Sequence, residues 1–321
     1  TLEAGKQVLI VGFYNNGLAL LKDIHNHLAR KFNNKTFLEQ REYRTEFRKL
    51  SNLILVEIKN HKITVDKSPE IGWIKKLYPN TPDFLLAFPQ IQGLNSSWQW
   101  YKKGISIPVL RNKLHPYYGT YFPTRFEHLQ VFDNWLKRYE GPRKSAIEVG
   151  VGSGVLSFQM VQDGFQKVFA TDTNPNAIVG LKEFMGTTKL SRKIELDFAH
   201  LFGKWEKQSE LIIFNPPWLP QSHELGRIDE AIYYTDKLFP EFFNEAKKRL
   251  LPEGKLLLVF SNLAQITEVT NSHPIEHELA EGGRFKLEKC YRKSVKAASD
   301  KTKRDQNWRS EEEVELWVLT H

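Results

Sequence analysis

The stretch LIIFNPPWLP, Leu211 to Pro220, runs apolar for four residues and then sets Asn215, Pro216, Pro217 and Trp218 in a row. An asparagine side-chain oxygen accepts one hydrogen of an NH2 group. Proline has no N–H and a fixed φ, so Pro216 and Pro217 hold the chain extended and turn their carbonyls toward a second hydrogen. Tryptophan adds a flat face for a planar amide or base. Two acceptors and one plate orient a planar nitrogen whose lone pair is delocalised. Such chemistry runs on positioning and electrostatics, with no dedicated strong base.

A second group of residues suits a bound ligand. In EVGVGSG, Glu148 to Gly154, an apolar strand runs into a turn carrying Gly150, Gly152 and Gly154. Glycines let the backbone turn tightly and approach a ligand closely, and the following helix offers its N-terminal amides. A dinucleotide fingerprint needs its third glycine at what is Val155, so the spacing argues against a nicotinamide cofactor. Asp172 ends the next strand, where a carboxylate accepting two hydrogen bonds suits the hydroxyls of a ribose; it also suits a helix N-cap before NPNAIVG. Asp197 and Phe198 follow the third strand, placed to accept from an adenine amine and to pack on the ring, although an Asp there also serves turns.

These residues need a scaffold that brings strand ends together. From Ser145 onward, SAIEV, KVFAT, KIEL, ELIIF and KLLLVFS alternate with helical segments, including NAIVGLKEFM and a helix near residues 237–250. That alternation predicts a parallel sheet with helices on both faces. FKLEKCYRKSV and VELWVLT follow without a helix between them and predict an antiparallel hairpin at the sheet edge. Residues 1–92 read as a smaller α/β domain: VLIVGF, a helix LALLKDIHNHLARKF, the strands NLILVEI and KITV, a short helix at IGWIKKLY and the strand DFLLAF. GFYNNG matches no phosphate-loop pattern and predicts packing. Residues 93–124, rich in proline, glycine and aromatics, predict a hairpin and connecting lid, leaving 125–321 as the catalytic domain.

Composition narrows the class. With 40% hydrophobic and 26% charged residues in 321, the chain has the makeup of a soluble globular protein. The single cysteine, Cys290, cannot form an internal disulfide and has no metal-site spacing around it, which predicts a reducing, cytoplasmic setting without structural zinc. VLIVGF is too short for a membrane span. The net charge is +8, and between Arg284 and Arg309 ten lysines and arginines face three acidic residues, a local surplus of +7 suited to phosphate backbones or acidic protein surfaces.

Together, EVGVGSG, ATDTNP, LDFAHLF, IIFNPPWLP and LLPEGKLLLV, in that order, resemble a class I S-adenosylmethionine-dependent methyltransferase of the Asn-Pro-Pro-aromatic branch. Such enzymes carry a Rossmann-like seven-stranded sheet with an antiparallel last strand. They methylate exocyclic amines of adenine or guanine, or the glutamine amide of release factors. The resemblance covers Ser145 to His321 and implies S-adenosylmethionine as cofactor. Glu148, Gly150, Gly152 and Gly154 would surround its methionine part, Asp172 would hold the ribose, and Asp197 and Phe198 the adenine. Asn215 through Trp218 would grip the acceptor nitrogen of a macromolecule, with nucleic acid favoured over protein because of the basic surplus. YYGTYFPTRFEHL is similar to the segment before the glycine motif in release-factor glutamine methyltransferases, which makes Phe122, Pro123 and Thr124 lid residues. Those enzymes carry a helical N-terminal domain, whereas residues 1–92 read as α/β; target recognition is the expected role here. The opposed reading, a module that binds without turnover, meets the objection that every motif position holds a chemically competent residue.

Overall fold

The computed structural model describes residues 1–32, 37–186, 188–221, 232–295 and 311–321. It divides into two compact units, Thr1–Lys103 and Gly104–His321.

In the first unit, β1 (Val8–Leu9) lies parallel to β2 (Ile54–Lys59), which pairs antiparallel with β3 (Lys62–Ile63) and β4 (Phe84–Ala87). Helices α1 (Tyr14–Lys31), α2 (Phe37–Ser51), α3 (Gly72–Leu77) and α4 (Phe88–Lys103) complete it. Gly17 is a packing glycine: a Cβ there would lie 2.4 Å from Ile10 and 2.5 Å from Phe88.

Helix α4 replaces the expected hairpin over residues 93–103 and moves the boundary from 92 to 103, while beyond it an antiparallel bridge joins Ile105 and Leu114. Pro89 sits in its first turn, where the missing N–H costs nothing. Ile91 and Leu94 are buried, and Trp98 and Tyr101, next along the same stripe, stack on each other and meet Trp73 of α3 edge-on and tilted respectively. Tertiary packing thus overrides the low helix propensity of Gly93 in the helix interior.

The second unit is built on a seven-stranded sheet in the order β12-β13-β11-β8-β5-β6-β7. Its strands are β5 (Ser145–Val149), β6 (Lys167–Asp172), β7 (Ile194–Phe198), β8 (Ser209–Phe214), β11 (Leu250–Ser261), β12 (Lys286–Ser294) and β13 (Glu313–Thr320). Strands β7, β6, β5, β8 and β11 pair in parallel, and β13 runs antiparallel to both β11 and β12. Strand β13 therefore enters the sheet inside the edge, and β12 forms the edge. A two-stranded ribbon joins β9 (Leu219–Pro220) to β10 (Tyr233–Tyr234).

Alternation along the strands sorts the core into two layers. Ala146, Val168, Leu211, Ile213, Leu257 and Leu316 face α5 (Glu127–Leu136), α6 (Val155–Gln162) and α7 (Pro175–Gly186). Ile147, Phe169, Ile212, Leu256, Phe260 and Trp317 face α8 (Leu238–Arg249), whose Phe239, Phe242, Phe243 and Ala246 are buried. The single turns α9 (Leu263–Ile266) and α10 (Pro274–His277) follow β11. Every residue of β8 is buried, as a central parallel strand requires. Among the described residues no helix is long and apolar enough to cross a membrane.

Candidate active site

From β5 the chain winds outward through β6 and β7, then returns across β5 to form β8, so the direction of winding reverses between two adjacent strands. The carboxyl ends of such strands border the crevice in which ligands bind in open α/β sheets. Val149 and Phe214 stand in register there, one residue short of Gly150 and Asn215 respectively. A Cβ on Gly150 would lie 3.4 Å from the Phe214 ring, so the glycine turn and the Asn-Pro-Pro-Trp turn are neighbours.

In the latter turn, the Trp218 indole N–H donates to Asn215 Oδ1 at 3.1 Å. The Trp218 ring packs where the two core layers meet at the sheet end, and His128 of α5 meets it edge-on at 6.0 Å and 86°. His128 is only 5% exposed, and burial pulls its pKa down to about 4, so the ring is neutral at physiological pH. Pro216 is buried and Pro217 half-buried. Beyond Trp218, Leu219 N and Gln221 N donate to Ile232 O and Tyr234 O, which holds the exit of the turn.

Gly150, Gly152 and Gly154 have φ of +69°, +50° and +84°, a left-handed run that side-chain-bearing residues adopt at a cost. Asp172 at the end of β6 ties this turn to the next: its Oδ2 accepts from Gly152 N at 2.7 Å and its Oδ1 from Asn174 N at 2.8 Å. Burial raises its pKa, and those two amide bonds oppose the rise. The helix-capping role goes to Asn174 instead, whose Oδ1 accepts from Asn176 N at 3.0 Å at the start of α7. Glu148 is 1% exposed beneath the turn and accepts the Ser157 hydroxyl of α6. Burial pushes its pKa up to about 8, the serine bonds pull it down, and the Asp172 charge adds to the rise.

A strap crosses this region. Asn174 Nδ2 donates to Gly119 O at 2.7 Å, and a Cβ on Gly152 would lie 3.5 Å from Tyr121 O. Tyr117 rests on α7 so closely that a Cβ on Gly180 would come within 2.3 Å of it. Thr120 is 8% exposed, and its hydroxyl has no protein partner. The expected lid residues stand just beyond: Phe122 packs on the core, Pro123 is buried and Thr124 is exposed. Gly119 to Tyr121 therefore lie over the glycine and Asp172 turns, one step earlier than the sequence pointed. Arg125 then anchors the strap to Glu312 at 3.1 Å.

Asp197 and Phe198 point opposite ways. Phe198 stands in register with Asp172 and is 60% exposed. Asp197 stands in register with Thr171, and alternation turns it to the other face, where its Oδ2 accepts from Lys204 N at 3.4 Å. It serves the turn through His200, which also borders a cavity of about 250 Å3 lined by Glu241 and Arg249. His128, Ser157, Thr120 and Tyr121 border these turns and were not singled out in the sequence, although the segment YYGTYFPTRFEHL, which holds Thr120, Tyr121 and His128, was read as part of a lid.

These residues fit S-adenosylmethionine. The glycine turn offers close backbone approach, Asp172 a carboxylate at the crevice, Phe198 an exposed ring beside it, and Thr120 a buried hydroxyl without a protein partner. When bound, the cofactor supplies a methyl group on a sulfonium, an electrophile for an aligned nucleophile.

Comparison with known proteins agrees. Residues 130–289 match the methyltransferase small domain family. The chain is 26% identical over 193 residues to a candidate protein N5-glutamine methyltransferase of Methanocaldococcus jannaschii, covering 57% of this chain and 92% of that one. It is 24% identical over 218 residues to a ribosomal protein L11 methyltransferase of Anoxybacillus flavithermus, covering 64% and 67%. A tRNA1(Val) adenine-N6 methyltransferase of Shewanella halifaxensis is 28% identical over 124 residues, covering 36% and 50%. The second unit thus carries a methyltransferase small domain, and the chain is an S-adenosylmethionine-dependent methyltransferase.

Proposed function

We propose that the chain methylates a planar NH2 nitrogen of a macromolecule, with a nucleic-acid base amine the favoured acceptor. The observation that carries this reading is the pair Asn215 and Trp218 at the end of β8, beside the glycine turn. Asn215 Oδ1 and a carbonyl of the Pro216–Pro217 turn each accept one N–H of the acceptor. Held this way, the nitrogen turns its lone pair out of conjugation and toward the methyl group, and its hydrogens already sit on acceptors as it becomes cationic.

The choice of nucleic acid rests on charge. The surplus of +7 between Arg284 and Arg309 is partly on β12, where Lys286, Lys289 and Arg292 are exposed; residues 296–310 lie outside the described part. Arg292 is held by Glu315 at 3.0 Å, and the Lys289 ammonium lies 4.9 Å from the Tyr291 ring centre. A glutamine amide is the second reading, favoured by the likeness to the archaeal protein named for that reaction. Target recognition falls to the first unit: its removal should abolish transfer to the native acceptor while cofactor binding persists.

Incubation with methyl-labelled S-adenosylmethionine and separated RNA, DNA and protein from cells lacking the gene tests the acceptor. Label in RNA or DNA supports the first reading, and label confined to protein replaces it by the second. If Asn215→Ala transfers label at the wild-type rate, the role given to Asn215 is wrong.

A further inference from the structure

We propose that Trp218 is a positioning residue whose indole N–H decides which end of the Asn215 carboxamide faces the acceptor. The inference rests on the reading of Asn215 as the group that grips the acceptor nitrogen. A carboxamide has an oxygen and an NH2 of similar size, and the two orientations differ only in hydrogen bonding. Turned the wrong way, Asn215 would meet an acceptor NH2 with its own NH2, donor against donor. The indole N–H can only donate, so its 3.1 Å bond selects the orientation with Oδ1 inward. One lone pair of that oxygen is then used, and the second stays available to an incoming N–H.

The indole is itself held in place. His128 meets its ring edge-on at 6.0 Å, and the core layers flank it on both sides of the sheet. Pro217 stiffens the chain before it, and the pairing of Leu219 with Tyr233 fixes the chain after it. Tyrosine or phenylalanine at this position would keep the plate but not an N–H at that place on the ring. Tryptophan therefore performs two tasks here, stacking and orientation.

The test separates the two in the full-length protein. Replacing Trp218 by 3-benzothienylalanine keeps the bicyclic plate and puts sulfur where the N–H was. Its rate is compared with those of Trp218→Phe and Asn215→Ala, as transfer of labelled methyl into total RNA and total protein from cells lacking the gene. Cofactor affinity is measured alongside by calorimetry. The benzothienyl variant and Trp218→Phe should each lose about fivefold in initial rate, the worth of one neutral hydrogen bond, with cofactor affinity kept within about twofold. A benzothienyl variant as fast as wild type overturns the proposal, even beside a slow Trp218→Phe, because bulk and not the N–H would then matter. Asn215→Ala at full rate overturns instead the reading beneath it.

Discussion

The two halves of the crevice are built from different material. On the proposed cofactor side, backbone predominates: left-handed glycines, the amides of Gly152 and Asn174, and a strap lying along them, with Asp172 as the tie. The proposed acceptor side is made of side chains, with Trp218 donating to Asn215 and His128 meeting Trp218 edge-on. Backbone geometry is shared by any residue that tolerates the φ, so that side should resist side-chain change except at its left-handed glycines and its carboxylates. A side-chain relay fails at each link in turn, which is the arrangement expected where the acceptor is selected.

Substitutions can break that contrast. Asn215→Ala should have the largest effect, a loss of about 100-fold or more in methyl transfer with cofactor affinity within about twofold, read by single-turnover kinetics and calorimetry. Asp172→Ala should act on the other half: cofactor affinity falls by about 50-fold, and the thermal midpoint of the free protein drops because Gly152 N and Asn174 N lose their acceptor. Glu148 gives a pH test. Its folded pKa of about 8 stands above the ordinary 4.5, so the folded state holds the proton longer. The associated stability is complete below the lower value and is lost as pH rises toward the upper one. From pH 6 to pH 8 the cofactor-free wild type should lose about 2 kcal/mol relative to Glu148→Gln, measured by urea unfolding. His200→Ala should do least, within about 0.5 kcal/mol, because its pairing with Glu241 at 3.3 Å is exposed. A marked loss of cofactor affinity in that variant would extend the cofactor side into the neighbouring cavity.

Much of the catalytic unit was readable because its signals are local. Glycines at 150, 152 and 154 fall in left-handed conformations, the apolar run before Asn215 is a fully buried strand, and the final strand is antiparallel. What escaped notice depended on partners distant in sequence. Helix α4 was hidden by Pro89 and Gly93, although Ile91, Leu94, Trp98 and Tyr101 repeat at helical spacing; the packing of Trp98 and Tyr101 against Trp73 reveals their purpose. Helices α2 and α5 were not anticipated, the first being rich in charge and the second following a proline-bearing strap. Asp197 and Phe198 were read together because the strand was expected to end at Leu196; β7 runs on to Phe198, and alternation then turns the two side chains to opposite faces. His128 lies 90 residues before Trp218, and no spacing rule connects them.

The place of β13 bears on how the protein is made. Strand β12 has β13 as its strand partner, and β13 also closes the flank of β11, yet β13 is the later of the pair to leave the ribosome. Until it arrives, the nascent chain has β5 to β8 and β11 available for pairing, while the apolar flank of β11 and the whole of β12 remain unmatched. Completion of the sheet therefore waits on β13 and on its long-range pairing with β11, the slowest kind of contact to form. Chains stalled short of Glu313 should accumulate as open-edged, aggregation-prone species instead of partly active enzyme.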